Sequence, residues 1–277
     1  MKCKTNPEPQ LAHLNRAFLE SDAGREVRIL SEFLAPETTL DNQDIRNTIV
    51  FFGSARMLST AEIRKRRKTS ANDPQVLEKL DRLSNVAKYY DAAHELSKRL
   101  GKWANERREG YAICTGGGPG IMEAGNRGAD DVGTPSIGFN IKLPFEQHPN
   151  PYISPELNMQ FRYFFIRKFW FLFRARALVV FPGGFGTLDE MFETFTLIQT
   201  HKLYQVMPVV LYGPEYWNKL INWNFLVETG MIDKNDLKLF RLSDSVENAY
   251  KYITDFIEKA GKKVGESAIH TAFSSLR

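Results

Sequence analysis

Short apolar runs rich in valine, isoleucine and phenylalanine alternate with amphipathic helical stretches, and three of the runs end in glycine-bearing turns. Such alternation predicts an α/β protein: a doubly wound, mostly parallel, Rossmann-like sheet with helices on both faces. The 277 residues are 43% hydrophobic and 25% charged, an ordinary globular composition that argues against a disordered, collagenous or disulfide-framework chain. A chain of this size buries roughly 75% of its unfolded surface without staples. Cys3 and Cys114 read as two reduced thiols. The net charge of +4 is mild for a nucleic-acid binder and suits a small anionic substrate. The N-terminus lacks the apolar centre of a signal peptide, and no stretch reaches the ~20 apolar residues of a membrane span. The expected location is the cytoplasm.

Taken in order, residues 11 to 34 carry helical spacing broken at Asp22-Ala23-Gly24, which predicts two short helices in an appended N-terminal piece, residues 1–45. Thr48 to Gly53 reads as the first buried strand. The basic cluster Arg64 to Lys68 follows, then a long helix from Pro74 to Arg108, with proline at its start and Gly110 beyond its end. Strands are expected at 112–115, 136–139, 177–181, 208–211 and, weakly, 239–242. Helices are expected at 120–131, 161–176, 187–201, 215–228 and 245–259. The main domain spans 46–262, and a frayed tail occupies 263–277.

Ligands of open parallel sheets bind beyond the carboxyl ends of the strands. Three glycine turns stand there: Gly53-Ser54-Ala55-Arg56, Gly116-Gly117-Gly118-Pro119-Gly120 and Pro182-Gly183-Gly184-Phe185-Gly186-Thr187. The latter two lead into helices, whose first amides attract anions. Thr187 can serve as an N-cap or a phosphate ligand. The glycines alone would also permit tight strand-to-helix turns, but two dense turns together point to a phosphate-bearing ligand. The dinucleotide spacing G-x-G-x-x-G is not met, since Ile121 or Glu123 falls where the third glycine belongs, and no G-K-[ST] follows either turn.

Beyond the third turn, Glu190 and Glu193 share a helix face. The helix dipole accounts for Asp189; a carboxylate beside an anion cradle instead suits a part of the ligand that turns positive, such as a ribosyl carbon during cleavage. Upstream, Arg167 and Lys168 interrupt the aromatic run Phe161 to Phe173. Those aromatics read mainly as core or subunit-interface residues. A charge among them needs a counter-charge or a ligand, so Arg167 is a candidate to meet Glu190, the phosphate or the base.

Pro182-Gly-Gly-Phe-Gly-Thr-Leu-Asp-Glu190 resembles the P-G-G-x-G-T-x-x-E motif of the LONELY GUY family, the cytokinin riboside 5′-monophosphate phosphoribohydrolases, once labelled lysine decarboxylase-like. Phe164-Phe165-Ile166-Arg167-Lys168 is similar to that family's M-x-x-R-K, with phenylalanine for methionine. The resemblance runs from about residue 48 to 259. It implies that Arg167 and Glu190, 23 residues apart, are the catalytic pair. It implies substrate contacts from Gly53 and Ser54, from Gly117, Gly118 and Gly120, and from Lys168. Gly183, Gly184, Gly186 and Thr187 would hold the phosphate, and Glu146 and Thr196 would be further contacts. The first 45 residues, the 64–68 cluster and residues 147–158 are extra relative to plant-like members. They bring the chain closer to the larger bacterial type, for which adenosine monophosphate is an implied substrate. No lysine has a convincing pyridoxal-phosphate context.

The expected reaction is hydrolysis of the N-glycosidic bond of a purine nucleoside 5′-monophosphate, giving free base and ribose 5-phosphate, with no cofactor and no metal. The alternative is a non-catalytic nucleotide-binding or signalling protein. Nucleic-acid binding through Arg64 to Lys68 is the third reading, weaker than a solvated loop or helix start. The aromatic helix and the family resemblance both imply a homodimer or higher homo-oligomer.

Overall fold

The computed structural model describes residues 10–70, 73–144, 148–203 and 207–271, with backbone only beyond residue 260. Seven parallel strands form one sheet: β1 (Asn47–Phe52), β2 (Tyr111–Thr115), β3 (Ser136–Ile141), β4 (Asn158–Phe161), β5 (Ala175–Val180), β6 (Val209–Tyr212) and β7 (Arg241–Ser243). Their order across the sheet is β4-β3-β2-β1-β5-β6-β7. The chain winds outward from β1 to β4, returns to pair β5 beside β1, and winds outward the other way. The doubly wound expectation therefore holds, and the winding reverses between β1 and β5, where ligands of such sheets bind.

β1, β2 and β6 are buried throughout, as strands covered on both faces must be. Ile49 and Phe51 join one core with helices α5 (Ala87–Arg107), α6 (Ile121–Asp130) and α11 (Val246–Thr271). Val50 and Phe52 point to the opposite core, built with α7 (Phe164–Phe173) and α8 (Phe185–Gln199).

Several boundaries differ from expectation. The long helix from Pro74 divides into α4 (Pro74–Ser84) and α5, because the chain turns at Asn85-Val86. The basic cluster forms part of helix α3 (Thr60–Thr69), where Arg66 pairs with Glu62 and Arg67 with Asp81. The helix expected from Phe161 begins only at Phe164, since Phe161 closes β4. β4 itself was hidden: Asn158-Met-Gln-Phe161 is a mostly exposed edge segment without an apolar run. The expected helix at 215–228 is two, α9 (Pro214–Leu220) and α10 (Trp223–Glu228). The backbone of α11 continues as helix to Thr271, past the expected start of the tail.

Between α1 (Arg16–Glu20) and β1, the N-terminal piece forms α2 (Arg25–Asn42), longer than expected. It is docked on α7. Phe33 lies 4.6 Å from Phe169 between ring centroids, and the Trp170 indole donates to the Glu32 carbonyl at 3.2 Å. The Glu32 carboxylate accepts the amides of Arg162 at 2.8 Å and Tyr163 at 3.1 Å. It thus places a negative group at the positive end of α7.

Candidate active site

The turns after β1 and β5 meet where the winding reverses: the Ser54 amide donates to the Pro182 carbonyl at 3.1 Å. The turn after β2 closes on the same place, with the Ile121 amide donating to the Ser54 carbonyl at 3.0 Å. That approach requires glycine at 120. Its φ is +72°, and a Cβ there would sit 2.3 Å from the Ser54 carbonyl oxygen.

Between these turns lies a cleft of about 690 Å³, lined by Gly53, Ser54, Arg56, Gly116, Arg167, Gly183, Gly184, Gly186, Thr187 and Glu190 together with apolar groups. The volume is that of a small-molecule site. Helix α8 enters it end-on. Gly184 is its N-cap, so the amides of Phe185, Gly186 and Thr187 have no acceptor within the helix. Thr187, a candidate N-cap or phosphate ligand, stands at the third helical position because the helix starts two residues earlier. Beside Gly184 and Gly186 no atom lies within 4 Å of where a Cβ would be, so a ligand can reach the amides. The Tyr216 hydroxyl donates to the Gly183 carbonyl at 2.6 Å and steadies this turn.

Arg167, on α7, reaches Glu190, on α8: Nη2 lies 3.4 Å from Oε1, and the two side chains are only 11% and 14% exposed. The guanidinium sits 5.2 Å from the ring centroid of Phe164 and 5.4 Å from that of Phe171, and its buried Nε has no partner among the described residues. Burial pushes the Glu190 carboxyl up to about 7; Arg167 opposes the shift and Asp189 adds to it. Burial lowers the Arg167 pKa, against the pull of Glu190 and Asp189. The arrangement offers an anion cradle, a carboxyl that titrates near neutrality and a buried cation beside it. Perturbed groups of this kind in a cleft mark candidate catalytic sites.

Other expected residues lie elsewhere. Only Gly116 of the second turn lines the cleft. Gly117 and Gly118 sit behind it, their carbonyls accepting from the Asn150 side chain at 3.1 and 3.0 Å, and Gly120 is packed against Ser54. Lys168 turns away to Asp189 at 2.7 Å and Glu193 at 3.1 Å. Thr196 is exposed and donates to the Phe192 carbonyl of its own helix at 2.9 Å. Six residues past Glu190 is about one and two-thirds turns, which carries it off the cleft face. Glu146 and Cys3 lie outside the described residues. Arg56, Met122, Ile141, Tyr216 and Leu220 also line the cleft, and no motif in the sequence marks them as site residues. Arg56 was visible in the first turn; Tyr216 follows β6, whose place beside β5 is not written in the local sequence.

Residues 122–253 match a family model described as "Possible lysine decarboxylase". A cytokinin riboside 5′-monophosphate phosphoribohydrolase of Mycobacterium tuberculosis is 33% identical over 82 residues, which are 28% of this chain and 42% of that protein. The match thus spans less than half of that relative's length. Among solved structures, the molybdenum cofactor carrier protein of Chlamydomonas reinhardtii is similar with a TM-score of 0.47 and 18% identity, covering 77% of this chain and 99% of that one. The molybdenum cofactor binding protein of Rippkaea orientalis follows with a TM-score of 0.46 and 17% identity, covering 76% and 98%. No described helix is long and apolar enough to cross a membrane. The stretch from α6 into α11, which carries Arg167, Glu190 and the third glycine turn, is therefore similar in sequence to the family described as "Possible lysine decarboxylase".

Proposed function

We propose that the chain hydrolyses the N-glycosidic bond of a purine nucleoside 5′-monophosphate, a cytokinin riboside monophosphate or AMP, releasing free base and ribose 5-phosphate. The observation that carries this reading is the 3.4 Å approach of Arg167 to Glu190 beside the open N-terminus of α8. The similarity to the mycobacterial phosphoribohydrolase supports the same reaction class.

In this reading the amides of Phe185, Gly186 and Thr187 receive the phosphate, which sets the ribose over Glu190. The C–N bond breaks with its electron pair going to the base. The ionised Glu190 carboxylate stabilises the positive ribosyl carbon, and Arg167 positions the substrate. Water adds to that carbon; its proton balances the negative charge left on the base. Decarboxylation of lysine finds no support in the cleft, since no described lining residue is a lysine that could carry a Schiff base.

The test is a panel of nucleoside 5′-monophosphates, cytokinin-type ones included, scored for free base and ribose 5-phosphate in equal amounts. Tight nucleotide binding without release of base would instead favour the non-catalytic alternative.

A further inference from the structure

Among the described residues, three charged side chains line the cleft: Arg56, Arg167 and Glu190. Arg167 and Glu190 are committed to each other at 3.4 Å and are nearly buried. Arg56 differs from both. It is exposed, and its guanidinium has no ion pair or hydrogen bond among the described residues. The turn that carries it is nevertheless fixed. The Arg56 amide donates to the Ser54 hydroxyl at 3.1 Å. Ser54 is tied through its own amide and carbonyl to the turns after β5 and β2, and the next residue, Met57, is buried. A firmly held backbone thus presents an uncommitted cationic head to the cleft.

A charge balance decides what that head can do. A phosphomonoester carries about −1.5 to −2 near pH 7. The N-terminus of α8 offsets only about half a unit charge. Arg167 changes nothing in this balance while Glu190 is ionised, because the pair is neutral. Roughly one unit of negative charge or more is then left without a counter-ion. Arg56 is the one described cation lining the cleft that is free to supply it. Its planar fork can donate two parallel hydrogen bonds to phosphate oxygens. The alternative is an arginine that points to solvent, whose removal would not affect phosphate binding.

We infer that Arg56 pairs with the phosphate of the bound nucleotide and sets the preference of the cleft for a 5′-monophosphate over the uncharged nucleoside. The inference rests on the reading of the cleft as a nucleotide site, and its test reads binding without turnover.

The probe is ribose 5-phosphate, which has no base to lose, titrated calorimetrically. It is expected to bind the intact chain, and Arg56→Gln is expected to weaken it roughly 10–100-fold. Arg56→Lys keeps the charge but not the fork and is expected to recover part of that loss. Salt should lower the affinity of the intact chain more steeply than that of Arg56→Gln. The side chain is exposed and unpartnered, so neither substitution disturbs the fold. Equal affinity in the intact chain and Arg56→Gln would overturn the inference, and so would failure of the intact chain to bind ribose 5-phosphate. Binding that depends on Arg56, with no base released from any nucleotide, would overturn the hydrolase reading instead and uphold the role of Arg56.

Discussion

A carboxyl group that gives up its proton only near pH 7 is held by burial, and Glu190 has that burial with a guanidinium 3.4 Å away. If the ionised form stabilises the ribosyl cation, kcat/KM should rise on the acid side and level off above about pH 7; a flat profile from pH 5 to 8 would detach Glu190 from the chemistry. Gly186 gives a second test at this scale. It lies inside α8 with open space where a Cβ would stand. Gly186→Ala should therefore stabilise the helix by about 0.5–1 kcal/mol while the new methyl intrudes on the anion cradle and raises KM roughly tenfold. Thermal melts and steady-state kinetics on one preparation check both halves. These residues were legible in the sequence because their motifs place them on one strand-turn-helix unit. Thr196 and Lys168 do not line the cleft, because helix phase and the partners Asp189, Glu193 and the Phe192 carbonyl direct them elsewhere.

At the scale of elements, α7 delivers Arg167, and the N-terminal helix α2 holds α7 in place. The Glu32 carboxylate caps two amides at the entry to α7, and its carbonyl takes the Trp170 indole. Glu32→Ala should cost about 1–2 kcal/mol of stability through the lost charge-assisted hydrogen bonds. It should also lower kcat more than it raises KM, since the guanidinium and not the cradle loses its support. Unchanged kcat with an unchanged melting temperature would make α2 a passive appendage. In the sequence this piece reads as an appendage, because its apolar spacing shows that it packs but not on what. The edge strand β4 escaped for a related reason: its pairing with β3 comes from the register Gly138–Asn158 to Ile141–Phe161, not from apolar character of its own.

For the whole molecule, the strand order β4-β3-β2-β1-β5-β6-β7 brings three distant glycine turns to one point. The strand-helix alternation made the parallel sheet legible, but not the order of its strands, which is why Tyr216 was missed. Burial of Glu190 also marks the stability of the folded chain. Its folded pKa, about 7, lies above the ordinary 4.5, so between these values the folded state holds more protons than the unfolded one. The group's contribution is fully present below about pH 4.5 and is lost as pH rises through about 7. Glutamine mimics the protonated form and lacks this dependence. The melting temperatures of wild type and Glu190→Gln should therefore converge near pH 4.5 and separate in favour of the variant up to pH 8. A variant less stable than wild type at pH 8 would contradict the burial argument.

The same substitution bears on the reaction itself. Free base released from the best nucleoside 5′-monophosphate, followed chromatographically at pH 8 for wild type and Glu190→Gln, tests the pairing of Arg167 with Glu190 most directly. The expected result is steady release of base by wild type and a loss of roughly 10²–10³-fold in the variant, with nucleotide binding retained. Undiminished release by a folded Glu190→Gln chain would contradict it.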